Sequence, residues 1–288
     1  MRGIILAGGA GTRLRPLTSV TSKQLLPVYD KPMIYYPLSI QLLAGIREIL
    51  IITTPESRED FHRLLGNGER LGVRIEYAQQ DEPRGLADAF LLGRRFIGDD
   101  QVCLVLGDNI FHGQDLPTIV RKEVAQLEGA TLFGYQVDDP QRYGVAVLDD
   151  EGRLVDIEEK PAEPKSDLAV TGLYLYDNDV VSYAAQLSPS ARGELEITDI
   201  NRRYVEQGRA RLVNLGSGTA WLDTGTHDSL FEAAGYVHAV QSRQGVQIAC
   251  IEEVAFRMGF IGADDVANSI DAYGRSSDYG RHLARLVG

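Results

Sequence analysis

The chain has 288 residues, of which 44% are hydrophobic and 24% charged, and its formal net charge is −12. That length admits one large α/β domain or two smaller ones around a substantial core, and the acidic balance argues against a nucleic acid polymer as partner. No apolar run reaches the roughly 18 residues of a membrane helix, and the N-terminus goes into a strand pattern without the parts of a signal peptide. A cytoplasmic protein with no membrane partner is therefore expected, with Cys103 and Cys250 as buried free thiols.

In chain order, apolar runs predict strands at 4–7, 49–53, 75–78, 102–106 and 131–135. Helical patterns lie between them at 34–44, 59–65, 86–94 and 116–127, bounded by Gly, Pro, Ser or Asp. This alternation implies a parallel-rich sheet with helices on both faces and ligands at the strand C-terminal ends. After about residue 138 the pattern changes to short strands at 145–148 and 154–158 joined by a hairpin turn. A helix at 197–207, a strand at 211–215 and a long helix at 226–244 follow, and 250–258 and 279–287 read as a helical tail. The tail is too apolar to be a free appendage.

The first strand empties into Gly8-Gly9-Ala10-Gly11-Thr12-Arg13. Glycines let backbone N–H groups approach an anion closely, and Arg13 adds a charged fork, which is the outline of a phosphate-binding loop. Neither the dinucleotide fingerprint nor the P-loop fits, because Leu14 stands at the third glycine of the first and the Gly-Lys-Ser/Thr ending of the second is missing. Taken alone, the same residues describe an ordinary tight turn equally well. Asp108 follows a buried strand at the level of this loop, and reads either as a turn residue or as one of the one or two carboxylates by which magnesium is held. Glu159 and Lys160 read as a solvated charge pair. Tyr143, Tyr174 and Trp221 read as core aromatics or as pocket walls, and Glu194 and Asp199 as acids at the start of a helix. His62, His112, His227, His238 and His282 have no HExxH spacing, and no Gly-x-Ser-x-Gly elbow occurs, so zinc and serine-nucleophile hydrolysis find no support.

The glycine loop with Lys23-Gln24 is followed by Gly107-Asp108-Asn109, Tyr143-Gly144-Val145, Glu158-Glu159-Lys160-Pro161 and Thr171-Gly172-Leu173-Tyr174. Residues 193–199 and Trp221-Leu222-Asp223 complete the series. Together, in this order and over essentially the whole chain, these motifs resemble the sugar-phosphate nucleotidyltransferase family. The resemblance implies a Rossmann-like mixed, mostly parallel sheet flanked by helices, with an inserted sugar-binding subdomain and a helical C-terminal tail. The nucleotide-binding half would occupy about residues 1–137, the sugar-binding part about 138–228 and the tail about 229–288.

It further implies transfer of a thymidylyl group from dTTP to glucose 1-phosphate, giving dTDP-glucose and pyrophosphate, with Mg²⁺ on Asp108 and Asp223. Arg13, Lys23 and Lys160 would be the catalytic cations. Gly8, Gly9, Gly11, Thr12, Gln24, Gly85 and Leu86 would serve the nucleotide together with Asp108. Gln80 would read the base, since a primary amide matches the imide edge of thymine or uracil. Asn109, Tyr143, Gly144, Glu159, Val170, Tyr174, Arg192 and Trp221 would serve the sugar phosphate beside Lys160. A homotetramer with a second, regulatory nucleotide site is expected from the same resemblance. Within the class, a uridylyl- or cytidylyltransferase on another sugar 1-phosphate is the alternative, and outside it a non-catalytic module that binds a nucleotide sugar.

Overall fold

The computed structural model describes residues 1–9 and 11–288; Ala10, within the glycine loop, lies outside the described residues. The chain begins with β1 (Arg2–Ala7), whose Ile4 to Ala7 are all buried. A short hairpin, β2 (Pro27–Val28) with β3 (Lys31–Pro32), leads to α1 (Tyr35–Leu43), of which only the last residue is not buried. Then come β4 (Glu48–Thr53), α2 (Arg58–Leu65), β5 (Arg74–Gln79), α3 (Asp88–Leu92), α4 (Arg94–Ile97) and β6 (Val102–Leu106). The helix expected over 86–94 is thus broken into two. The break falls at Gly93, which presses so closely on β1 that an added Cβ would lie 2.9 Å from Ile4 Cδ1.

The middle of the chain contributes β7 (Asn109–Gly113), α5 (Leu116–Ala125), β8 (Ala130–Gln136), β9 (Gly144–Leu148), β10 (Leu154–Glu159) and β11 (Leu168–Tyr176). After these come α6 (Asp179–Ala185), α7 (Ile197–Glu206), β12 (Ala210–Asn214) and β13 (Thr219–Asp223). Four helices close the chain: α8 (His227–Gln244), α9 (Ile251–Arg257), α10 (Ala263–Tyr273) and α11 (Asp278–Val287). Strands β7, β11 and β13 and helices α6 and α10 are additions to the elements read from the sequence. In β11 all nine residues are buried, so the strand has no polar face and no period-two alternation to reveal it.

The main sheet runs β10-β9-β11-β6-β1-β4-β5, and β8 and β12 join it through β11. Its β6-β1-β4-β5 part is parallel, while β11 runs antiparallel to β6, β8 and β9. Of the strands after residue 138, β9, β10, β11 and β12 therefore hydrogen-bond into the same sheet as β1, which leads into the glycine loop, while β13 pairs with β7 in a separate two-stranded ribbon. Alternate residues feed two cores. Ile5, Ile49, Ile51 and Val105 pack with α1, α5, α9 and α11, whereas Ile4, Leu50, Ile52 and Leu104 pack with α3, α6 and α7. Burial on both faces is what keeps these strands apolar throughout, each buried aliphatic side chain contributing about 1.5–3 kcal/mol.

The tail is docked, as its composition implies. Ile251, Val266, Ile270 and Leu283 belong to the first core. The fully buried Glu252 accepts from Arg70, from Tyr273 at 2.8 Å and from Tyr279 at 2.6 Å, tying α9, α10 and α11 to the body. Both cysteines are free and buried. Among the described residues no helix is long and apolar enough to cross a membrane.

Candidate active site

Parallel strands β1 and β6 end side by side, so the glycine loop and Asp108 leave the same edge of the sheet. Asp223 reaches that edge by another route. Strand β13 pairs antiparallel with β7 in a register that sets Asp223 opposite Asn109, and the Thr224 hydroxyl donates to the Asp108 carbonyl at 2.8 Å. Two carboxylates separated by 115 positions (223 − 108) are thereby brought together by a two-stranded ribbon.

Their surroundings push them apart chemically. Burial would raise the Asp108 carboxyl, but the charge and hydrogen bond of Lys23 and the amide of Asn109 overcome it and hold the group below the usual carboxylate range. Lys23 Nζ donates to Asp108 Oδ2 at 2.6 Å, and Asn109 Nδ2 to Oδ1 at 3.0 Å. Asp223 is raised, first by burial and then by the negative charge of Asp108, against the opposing cations Lys23, Arg142 and Arg13. A half-buried pair in which one acid resists ionisation through burial and then through the charge of the other is a donor set that suits a divalent cation with oxygen preference.

A cavity of about 520 Å³ opens over these acids. Arg13 and Leu86 line it on the side of the glycine loop. Tyr143, Gly144, Glu159, Lys160, Val170 and Tyr174 line the other side, together with Asn109, Arg192 and Trp221. Lys160 is exposed, with 48% of its side chain open and Nζ 3.7 Å from Glu159 Oε1. Its φ of +45° is a left-handed conformation that L residues avoid, held by its N–H donating to the Tyr143 carbonyl at 2.9 Å. Trp221 and Tyr174 are more than nine-tenths buried and still face the cavity, so they serve core and wall at once.

Of the remaining expected residues, Gly9, Lys23 and Gln80 line a second cavity of about 480 Å³, and the others are placed by their own contacts. Gly8 stands against Gln80, and a Cβ on it would lie 2.6 Å from Gln80 Oε1, so only glycine allows this approach. The Gln80 amide is oriented by donating to Asp88 Oδ2 at 2.9 Å. Gln24 is buried, accepts from Ser22 at 2.7 Å and reaches the Gly8 carbonyl at 3.5 Å, so it props the loop from beneath. Thr12 opens a short 3-10 turn ending at Leu14. Gly85 packs on Leu195, whose carbonyl oxygen would be 2.4 Å from an added Cβ. A larger groove, of about 770 Å³ between α3, α4 and α6, contains none of the residues singled out from the sequence.

Among the cavity residues given no role from the sequence are Arg142 and Thr198, whose contacts bear on its carboxylates. Arg142 donates to Asp139 at 2.7 Å and lies 3.5 Å from Asp223 Oδ2; its one signal was its place beside Tyr143-Gly144. Thr198 donates to Glu159 Oε2 at 2.6 Å and so orients that carboxylate toward the cavity. Arg192 is found among acids, 3.1 Å from Glu159 and 2.8 Å from Glu196, so much of its charge is already answered within the protein.

Known proteins resemble this chain in sequence and in fold. Residues 2–239 match the family described as Nucleotidyl transferase. The glucose-1-phosphate thymidylyltransferase of Neisseria meningitidis serogroup A is 57% identical over 287 residues, covering 100% of this chain and 99% of the relative. That of Mycobacterium tuberculosis (strain ATCC 25618 / H37Rv) is 54% identical over 287 residues with the same coverage. Among solved structures, a Bacillus anthracis protein described as a glucose-1-phosphate thymidylyltransferase, in complex with a sucrose, superposes with a TM-score of 0.76 at 46% identity. That superposition covers 82% of this chain and 94% of the other. A UDP-glucose pyrophosphorylase complexed with UDP-glucose shares the fold at 24% identity, with a TM-score of 0.72 over 83% of this chain and 98% of the other. Full-length likeness at this level, together with the family match over most of the chain, makes this protein a member of the nucleotidyl transferase family.

Proposed function

We propose that the chain transfers a thymidylyl group from dTTP to glucose 1-phosphate, giving dTDP-glucose and pyrophosphate. The observation that carries this reading is the half-buried Asp108–Asp223 pair with Arg13, Lys23 and Lys160 about the same cavity, in a chain more than half identical over its full length to glucose-1-phosphate thymidylyltransferases. The sugar phosphate attacks the α-phosphorus in line. Its second pKa lies near ~6, so the nucleophile is mostly ionised at neutral pH and no general base is needed. What the site must supply is alignment of two anions and compensation of charge.

In this reading Arg13, Lys23 and the backbone of the glycine loop take the triphosphate, Lys160 steers the incoming phosphate, and Glu159, oriented by Thr198, accepts from sugar hydroxyls. Gly144 and the Val170 backbone help to fix the hexose, and Gln80, with its amide held by Asp88, reads the base, with Gly85 and Leu86 leaving room for the ring. Asp108 and Asp223 would hold Mg²⁺, whose charge, when bound, offsets that gathering on the phosphate oxygens as pyrophosphate departs. Two buried free thiols suit a reducing compartment, so we place the protein in the cytoplasm. A homotetramer with a second nucleotide site belongs to the same reading, supported by apolar side chains left exposed, such as Phe231 on α8 at 78%. Light scattering that returned the monomer mass of 31.7 kDa at micromolar concentration would remove the tetramer.

The test is to incubate the protein with each nucleoside triphosphate, glucose 1-phosphate and Mg²⁺, and to follow pyrophosphate. The greatest kcat/KM is expected with dTTP. Preference for UTP or CTP would make it a different transferase, and absence of release with every pair would make it a binding module.

A further inference from the structure

The hydrogen bonds around Asn109 point to a role for it other than the sugar contact that its neighbours suggest. Its side chain is 3% exposed. Oδ1 accepts two hydrogen bonds, one from Trp221 Nε1 at 2.7 Å and one from the Gly172 N–H at 3.1 Å. Both partners can only donate, so the amide has no freedom to flip: the oxygen must face them and Nδ2 must face the other way. There Nδ2 donates to Asp108 Oδ1 at 3.0 Å. The fit is tight, because a Cβ on Gly172 would lie 2.4 Å from Asn109 Oδ1.

We propose that Trp221 and Asn109 form a positioning relay that fixes the Asp108 carboxylate for the divalent cation. The proposal rests on the metal reading given above. Lys23 pins Oδ2 of Asp108 from one side and Asn109 pins Oδ1 from the other, so the plane of the carboxylate is set before any ligand arrives. Asn109 owes its own orientation to the indole N–H. The indole in turn packs at 5.0 Å between ring centroids on Tyr143, the residue before Gly144 on the sugar side of the cavity. A chain of contacts therefore links the sugar wall to the metal carboxylate. Trp221 is the only tryptophan in the protein, so its emission reports on one end of that chain.

The experiment measures Mn²⁺ affinity by electron paramagnetic resonance and steady-state kinetics for wild type, Asn109→Leu and Trp221→Phe, with Trp221 emission during Mg²⁺ titration followed in wild type and Asn109→Leu. Residues that orient metal ligands typically contribute 10–100-fold to affinity. Asn109→Leu should weaken Mn²⁺ binding about tenfold or more, abolish the response of Trp221 emission to Mg²⁺, and lower kcat with the KM for glucose 1-phosphate unchanged. Trp221→Phe keeps an aromatic ring but removes the N–H donor along with part of the indole, so it should weaken Mn²⁺ binding severalfold; it carries the test by itself should Asn109→Leu fail to fold. A raised sugar-phosphate KM with unchanged Mn²⁺ affinity would make Asn109 a sugar ligand and overturn the relay. A lowered melting temperature with both affinity and kinetics intact would make it a structural residue and overturn it equally. Absence of Mn²⁺ binding by the wild type, with and without dTTP, would remove the metal reading and the relay together.

Discussion

Replacing Lys23 by methionine keeps the side-chain volume and removes the charge that answers Asp108. Lys23 has 8% of its side chain exposed and Asp108 26%, with 2.6 Å between Nζ and Oδ2. At an effective dielectric near 20 the gross attraction at that distance is about 6 kcal/mol. Desolvation of both partners cancels much of it, and removing one member of a buried pair costs 3–5 kcal/mol in general. Because Asp108 keeps a quarter of its surface in water, about 3 kcal/mol is expected for Lys23→Met. Asp108→Asn should cost less, because it also relieves the repulsion that raises Asp223.

The double variant should be no less stable than Lys23→Met alone, giving a coupling energy of about 2 kcal/mol, within the usual range for contacting residues. Urea unfolding of the four proteins measures this, and carbon-detected titration of the Asp108 carboxyl gives an independent check. With the lysine gone, burial is opposed only by the Asn109 amide and a backbone hydrogen bond, so the Asp108 pKa should rise. A coupling energy below about 0.5 kcal/mol, the additivity limit for independent sites, or an Asp108 titration unmoved in Lys23→Met, would refute the account of the pair.

Asp223→Asn keeps the shape and drops a charge. It should lower kcat about a hundredfold, with part of the loss recovered by raised Mg²⁺, and a near-normal rate at low Mg²⁺ would dissolve the two-carboxylate site. Lys160→Ala should raise the KM for glucose 1-phosphate and spare that for dTTP; the reverse pattern would exchange the two phosphate sites. Gln80→Met removes donor and acceptor at constant length, avoiding the clash of charges that glutamate would create beside Asp88, and should lower kcat/KM for dTTP about tenfold through one lost buried hydrogen bond. Unchanged kcat/KM would move the base site elsewhere. In the tail, burial raises Glu253 but its hydrogen bonds to His282 and Arg257 prevail and depress it. A depressed carboxyl adds stability above its unfolded value near ~4.3 and loses it as pH falls through the folded value. The stability gap between wild type and Glu253→Gln should therefore be present at neutral pH and close in acid below that point, and a gap constant down to pH ~3 would contradict the assignment.

Much of this fold is written locally. The apolar runs of β1, β4 and β6 and the helices between them are legible because strand and helix periods differ and because Gly, Pro and Ser mark the boundaries. The glycine loop is legible too, since close approach to an anion demands residues without side chains, and the composition of the tail already says that it is docked. Other features depend on partners far away in the chain. Strand β11 has no alternation to detect, because neighbours cover both its faces. The Asp108–Asp223 pair was expected from family resemblance and not from spacing; its physical cause is the β7–β13 register, which no local pattern encodes. Arg142 and Thr198 became visible as site residues only when the turn before β9 and the start of α7 were brought over the same cavity. The sequence by itself determined β1, β4, β5, β6 and β8, the helices between them and the glycine-rich turn after β1, because those preferences act over a few residues. Only the tertiary structure decided which carboxylate meets which cation, and why Asn109 must turn its amide toward Asp108, because desolvation and hydrogen-bond geometry exist only once the strands have paired.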